Sequence, residues 1–347
     1  MGHGAEAVGR LDDGKVVLTA GVAPGDRCEV AIVTEHARYV EAIVAAVIEA
    51  GPDRREAPCR HARSGECGGC AWQHLTEAAQ RREKESLVRR EVGRIAPEAI
   101  VRPIASGTQA FGYRRRAKLG HRGPVLGYRA RQTRRVFDVL ECPVLDPRLE
   151  AALPEIRAAV TGRPDGNLDV LVDADGTVHV DGPATVFAQP NAETEATLVA
   201  LVLEAVPRTA RAVVELFAGA GTFTLPLASR GHALVTYEVD RQAVRRLEEL
   251  ALDVDARRAD LLRAGAALDF GHPDALLLDP PRDGAAPCLD AIAASRASVV
   301  VYVSCEPMTL CRDLRGLRDR GYRVEWVAPV DAFPQTPHVE CVARLSR

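Results

Sequence analysis

From residue 191 onward the chain repeats one pattern: a short apolar run, then a stretch of helical composition. The apolar runs are AVVELF (212–217), ALVTYE (233–238), ALLLD (275–279) and VVVYVS (299–304). Helices are predicted over 191–205, up to Ser229, and over 241–252, 285–295 and 308–320, with a short strand near 254–258. Strands alternating with helices build a mainly parallel sheet, doubly wound. The pattern closes differently. YRVEWVAP (322–329) and HVECVARL (338–345) are joined by a link too short for a crossover helix, so this last pair is predicted to be antiparallel.

In open α/β sheets, ligands bind beyond the carboxyl ends of the strands, so the polar residues at those ends are the candidates. The first strand runs into ELFAGAGTF, where Gly219 and Gly221 let backbone approach a ligand closely. Thr224 stands where a dinucleotide fingerprint has its third glycine. Glu238 ends the second strand 19 residues after Gly219, a spacing that suits a carboxylate on ribose hydroxyls. A nicotinamide oxidoreductase would share these features. The fourth strand ends in Asp279-Pro280-Pro281-Arg282. Methylation of an exocyclic amine would call for an aromatic where Arg282 stands.

The fifth strand ends at the same edge in Ser304-Cys305-Glu306-Pro307. Most lone cysteines are small buried hydrophobes, which is the reading for Cys28, Cys288, Cys311 and Cys341. Cys305 differs by its place at a functional strand end before a proline-stiffened turn. Because the last strand is antiparallel, its start lies at that edge too. Alternation predicts His338 and Glu340 on one face and Val339 on the other. A thiol facing a carboxylate suits methylation at carbon 5 of uracil. A thiolate adding to carbon 6 makes carbon 5 nucleophilic, and a base must then remove the carbon 5 proton.

Composition sets limits on partners. The chain has 347 residues, is 47% hydrophobic and carries net charge −3, so it is not a basic nucleic-acid binder throughout. Residues 111–135, FGYRRRAKLGHRGPVLGYRARQTRR, concentrate nine Lys and Arg with no acid, interleaved with Phe111, Tyr113 and Tyr128. That segment suits phosphate contacts with base stacking. No apolar run approaches the ~18 residues needed to span a bilayer, and no export signal is evident. A cytoplasmic protein, without membrane association and monomeric, is expected. Nine cysteines without an export signal argue against disulfides. Cys59, Cys67, Cys70 and the distant Cys142 read as a metal or cluster site, and spacing leaves zinc and iron–sulfur both open.

A parallel sheet ending in one antiparallel strand is the arrangement of class I methyltransferases. FAQPN (187–191), ELFAGAGTFTLPLA (215–228), LLLDPPRDG (276–284), VYVSCEP (301–307) and DAFPQTPHVE (331–340) occur in that order. Together they resemble the iron–sulfur, TRAM-domain-containing RNA uracil-5-methyltransferases over nearly the whole chain. The resemblance implies that Gln189, Phe217, Glu238 and Asp279 contact S-adenosylmethionine, with Asp260 by the adenine. Thr222 replaces the family's usual asparagine in the glycine loop. It implies Cys305 as nucleophile, Glu340 as base and Cys59, Cys67, Cys70 and Cys142 as ligands of a [4Fe–4S] cluster. The first two of these cysteines are two residues further apart here than is usual. RNA 5-methylcytosine relatives have a Pro-Cys pair where this chain has Pro280-Pro281, which points to uracil.

The implied architecture is an α/β class I (Rossmann-like) methyltransferase domain (186–347), preceded by two further domains. These are a TRAM-like, OB-like β-barrel (1–52) and a central α+β iron–sulfur and RNA-binding domain (53–185). The barrel is expected to lack its usual first strand. The expected substrate is ribosomal RNA of the 23S type. The alternatives are the same chemistry on tRNA and a non-catalytic RNA-binding or assembly factor.

Overall fold

The computed structural model describes residues 6–107, 109–131, 133–173, 175–181, 189–249, 253–264 and 267–347. The chain divides into two compact units, and neither is one continuous stretch. The first takes residues 1–84, 109–181 and 333–338; the second takes 85–108, 182–332 and 339–347.

The elements begin with β1 (Glu6–Arg10), β2 (Val16–Ala20), β3 (Arg27–Glu35), β4 (Tyr39–Glu49), α1 (Arg60–Arg63) and α2 (Glu77–Ile95). Next come β5 (Ile100–Val101), β6 (Ala105–Ser106), β7 (Arg116–Arg122), β8 (Val125–Arg129), β9 (Val136–Asp138) and α3 (Pro147–Val160). β10 (Gly166–Val172), β11 (Val178–Val180), α4 (Ala192–Ala205), β12 (Ala212–Leu216), α5 (Thr224–Ala228) and β13 (Ala233–Glu238) follow. Then come α6 (Arg241–Glu249), β14 (Val254–Arg258), α7 (Leu261–Ala264), β15 (Ala275–Leu278), α8 (Leu289–Ser295) and β16 (Val299–Ser304). The chain ends with α9 (Pro307–Asp319), β17 (Arg323–Asp331) and β18 (Glu340–Ser346).

In the second unit the strand order is β14-β13-β12-β15-β16-β18-β17-β5, with β6 also pairing β17. Every pair is parallel except the two that β18 makes, with β16 and β17. This is the sheet that the alternating pattern predicts, including the antiparallel last pair. Residues 85–108, which sequence places inside the 53–185 segment, pack here because Ile100-Val101 extends the β17 edge. Side chains alternate between the two faces, as strand geometry requires. Leu276, Leu278, Val300 and Tyr302 enter one core; Leu277, Val301 and Val303 enter the other.

The final strand starts later than predicted. β18 begins at Glu340, so His338 lies before the strand and not on its alternating face. Pro337 has no N–H for a ladder, and the His338 N–H donates locally to Thr336 Oγ1 at 3.2 Å.

The first unit holds two sheets, β1-β2-β4-β3 and β11-β10-β7-β8-β9. β10 and β11 pair as an antiparallel hairpin. α3 buries Leu149, Leu153, Ile156 and Val160, one face at helical spacing. Its first turn is set by the Asp146 cap and Pro147. Residues 333–338 also belong to this unit. Gln335, fully buried with φ +71°, donates its N–H to Gln80 Oε1 at 2.7 Å and accepts from Gln80 Nε2 at 2.9 Å. Its carbonyl accepts from Trp72 N at 2.9 Å. No described helix is long and apolar enough to cross a membrane.

Two stability outcomes follow. Leu277→Ala, at a fully buried strand position, should cost about 2–5 kcal/mol in denaturant unfolding. Gln80→Leu strands the buried Gln335 N–H and should cost on the order of 1–3 kcal/mol or more by the same measurement.

Candidate active site

The carboxyl edge of the large sheet gathers the predicted residues. Phe217 follows β12, Glu238 ends β13, Asp279 follows β15 and Cys305 follows β16. Ser304 pairs with Cys341 in the β16–β18 ladder, so one further step sets Cys305 opposite Glu340. The antiparallel strand thus delivers a carboxyl beside a thiol that reached the edge on a parallel strand.

The glycine loop is shaped as its sequence suggests. Phe217 has φ +61°, an unusual conformation for a bulky residue. Gly219 has φ +54°, and a Cβ placed there would meet nothing within 4 Å, so its face is open. Gly221, at φ +94°, packs closely over Leu247. Glu238 is tied to this loop: its Oε2 accepts from Gly219 N at 2.9 Å. Its Oε1 accepts from Val239 N at 2.7 Å and Asp240 N at 2.8 Å. These bonds fix the carboxylate at the strand end. Thr222 is half-buried in the turn before α5. Asp260 caps α7, accepting from Arg263 N at 3.3 Å. The half-buried Gln189 donates its N–H to Glu195 at 3.0 Å. Phe187 and Ala188 of the same motif lie outside the described residues.

Thr224, in place of a third glycine, has a structural role. Its hydroxyl donates to Glu215 Oε2 at 2.6 Å. Glu215 is a buried carboxyl inside β12 that sequence reasoning passed over. Burial, opposed by the Thr224 bond, pushes it up to about 8, with Asp279 and Glu238 adding to the rise.

The electrostatics around the thiol are distinctive. Burial first, then the Glu340 carboxyl, push Cys305 up to about 11; Arg282 opposes this by charge and by a hydrogen bond. Glu340 is pushed up to about 8 by burial and by Asp279, again opposed by Arg282. Burial alone pushes Asp279 up to about 7. Cys305, Glu340 and Asp279 therefore share one low-dielectric pocket, and Arg282 is the cation that opposes the rise at Cys305 and Glu340. In the sequence Arg282 stands out only as the residue in place of an aromatic. Its signal was there: a cation in a stiff loop at the same edge as Cys305.

The four cysteines of the first unit also converge. Cys59, Cys67, Cys70 and Cys142 line one small cavity with His61 and Tyr128. Burial raises the Cys67, Cys70 and Cys142 thiols, and the neighbouring thiols add to it. Among the described residues no three His, Cys, Asp or Glu side chains meet as a ready ligand group for one ion. Four thiols around one cavity are a donor set that suits either a tetrahedral zinc ion or an iron–sulfur cluster.

The basic segment forms β7 and β8, and its aromatics turn towards the core to different depths. Tyr113 is buried and donates to the Pro334 carbonyl at 2.9 Å; Phe111 and Tyr128 pack on the core. These rings pack on the core beneath the five-stranded sheet, which the charge pattern alone does not reveal. Arg122 and Arg135 pair with Asp165 and Glu66, at 3.0 and 2.8 Å.

The family described as tRNA (Uracil-5-)-methyltransferase matches residues 168–248 and 246–347. Curated relatives named 23S rRNA (uracil(1939)-C(5))-methyltransferase RlmD align along the chain. That of Halomonas elongata is 33% identical, covering 99% of this chain and 88% of its own length. That of Pseudomonas putida is 31% identical over 95% of this chain and 89% of its own. The crystal structure of Pyrococcus abyssi tRNA (uracil-54, C5)-methyltransferase in complex with S-adenosyl-L-homocysteine superposes with a TM-score of 0.71. The two are 22% identical, over 98% of this chain and all of that one, so this likeness shows the fold.

Glu215 yields a test of the pocket's electrostatics. Its folded pKa lies above its unfolded value, so its stabilising contribution is full below about pH 4.5 and is lost as pH rises through about 8. Glu215→Gln should therefore raise the unfolding temperature relative to wild type, by a margin that widens between these two values. Thermal unfolding across that range checks it.

Proposed function

This chain belongs to the RNA uracil-5-methyltransferase family, and from that membership we propose how its residues divide the work. The enzyme transfers a methyl group from S-adenosylmethionine to carbon 5 of a uridine in RNA. The observation that carries the assignment of roles is the Cys305–Glu340 pair, held by adjacent antiparallel strands at the carboxyl edge.

Cys305 is the nucleophile. Its sulfur bonds to carbon 6 of uracil, and the electrons of the 5,6 double bond move into an enolate across carbon 5 and the carbon 4 carbonyl. S-adenosylmethionine supplies the methyl group as an electrophilic sulfonium, whose S–CH3 bond breaks with its electron pair left on the departing thioether, S-adenosylhomocysteine. Carbon 5 then carries both a methyl group and its original hydrogen. Glu340 takes that proton, the double bond re-forms and the sulfur leaves carbon 6. A base pushed up to about 8 is matched to this task near neutral pH. Arg282 favours the thiolate by lying against it.

Gln189, Phe217, Thr222, Glu238, Asp260 and Asp279 hold the methyl donor. The open face of Gly219 beside the fixed Glu238 carboxylate supports that reading, since a nucleoside needs both close backbone and a polar anchor. Cys59, Cys67, Cys70 and Cys142 hold a [4Fe–4S] cluster, which supplies a structural crosslink in a reaction that moves no electrons. Iron, sulfide and zinc analysis of anaerobically purified protein tests this against zinc. Residues 1–52 serve as a TRAM-like RNA-binding module, and the basic ribbon of β7 and β8 contacts phosphates. The substrate is 23S ribosomal RNA, supported by what the curated relatives are named for, and the enzyme works as a cytoplasmic monomer. Mass-spectrometric mapping of 5-methyluridine with and without the gene separates ribosomal RNA from tRNA.

Cys305→Ser should abolish methylation of uridine-containing RNA and covalent RNA capture; wild-type turnover in that variant would sink the assignment. Glu340→Gln should lower turnover about 10²–10⁴-fold while a methylated protein–RNA adduct accumulates on denaturing gels. Because Glu340 acts only when deprotonated, wild-type turnover should rise with pH through about 8.

A further inference from the structure

α9 carries a carboxylate with no exposure to solvent. Asp313 is fully buried, although it sits among arginines in the sequence. An isolated buried carboxylate is costly, so its partners matter. Its Oδ2 accepts from the Ala285 N–H at 2.7 Å and from the Tyr302 hydroxyl at 2.7 Å. Its Oδ1 accepts from Arg312 Nε at 2.9 Å. Arg312 in turn donates to the Asp283 carbonyl at 2.7 Å.

These bonds grip one turn from both sides. Gly284 N donates to the Pro281 carbonyl at 2.8 Å, closing a turn in which Arg282 and Asp283 are the central residues. α9 then holds the carbonyl before Gly284 and the N–H after it. Gly284 has φ +78°, and an added Cβ would collide with Asp313 Oδ2 and Thr309 Cγ2. The turn therefore packs flush on the helix, and only glycine fits there.

α9 is also the helix that starts at the nucleophile: Glu306, next to Cys305, is its cap. Tyr302 stands three residues before Cys305 on β16 and shares the same carboxylate oxygen. One carboxylate thus links the strand that carries Cys305, the helix that follows it and the turn that carries Arg282.

We propose that Asp313 is a positioning residue, clamping the Pro281–Ala285 turn to α9 so that the Arg282 guanidinium is held against Cys305. The proposal rests on the reading of Cys305 as nucleophile. The groups facing Cys305 are Glu340 from β18, with Asp279 and Arg282 from the loop after β15. Glu306 is its neighbour in the chain. Of these only Arg282 favours the thiolate. A turn released from α9 leaves the thiol facing carboxyls alone.

The test is the pH profile of Cys305 alkylation by iodoacetamide in the full-length protein, read by mass spectrometry of the Cys305 peptide. Asp313→Asn should move the midpoint up by about half to one pH unit, a roughly three- to tenfold loss of rate at a fixed pH below the midpoint. Arg282→Gln should move it in the same direction, and the double variant no further than Arg282→Gln alone. Gly284→Ala forces the turn off the helix without altering a charge, and should shift the midpoint upward if Asp313→Asn does not fold. An unchanged midpoint in a folded variant, even one with a lowered unfolding temperature, overturns the proposal. So does a shift that adds fully to that of Arg282→Gln. The alkylation profile reads the clamp whether or not Cys305 attacks uracil; loss of methylation in Cys305→Ser tests the nucleophile separately.

Discussion

One antiparallel strand organises the catalytic edge. Parallel strands send all their carboxyl ends to one side, so a sheet built only from them offers strand ends and loops there. β18 runs the other way between β16 and β17 and brings a strand beginning to that edge. Backbone pairing of Ser304 with Cys341, one residue from each, then brings Glu340 up to Cys305. Groups that must act within one uracil ring need such a fixed separation, because misplacement of about 1 Å is costly in rate.

The same edge is electrostatically under tension. Burial pushes up Glu215, Asp279 and Glu340; Asp279 adds to the rise at the other two, and Glu340 and Asp279 add to it at the thiol. Arg282 is the charge that offsets this at Cys305 and Glu340. Its own loop contains two prolines and a glycine at positive φ, with few ways to hold itself in place by main-chain bonds. α9 supplies the missing fixings through Asp313 and Arg312. Cys305 and its counter-charge Arg282 are thereby referred to one helix.

Much of this could be read from residue order. Strand-end position identified Glu238, Asp279 and Cys305, because apolar runs mark buried strands and the first polar residue after each marks the edge. The antiparallel last pair followed from a short connection. His338 was misplaced because alternation was extended through Pro337, which cannot join a ladder. Tyr113 looked like a stacking ring beside arginines, yet it fills a core, since it lies in the loop before β7, where no periodicity sets its direction. Glu215 and Asp313 were missed for a related reason. A single carboxyl within an apolar strand, or within a charged helix, carries no local sign of being buried; only the partners Thr224, Ala285 and Tyr302 reveal it. The contribution of Arg282 likewise depends on where the loop points.

The interleaving of the two units limits how this chain could be taken apart. A fragment cut at 186 to isolate the large sheet would leave behind β5 and β6, which pair with β17. It would also lose residues 85–95 of α2, whose Val88, Val92 and Ile95 belong to one of that sheet's cores. The bared β17 edge would be a template for pairing with other chains. Modularity in this protein is therefore a property of its surfaces and not of its gene: the catalytic unit is assembled from three separate stretches, and no single excision releases it intact.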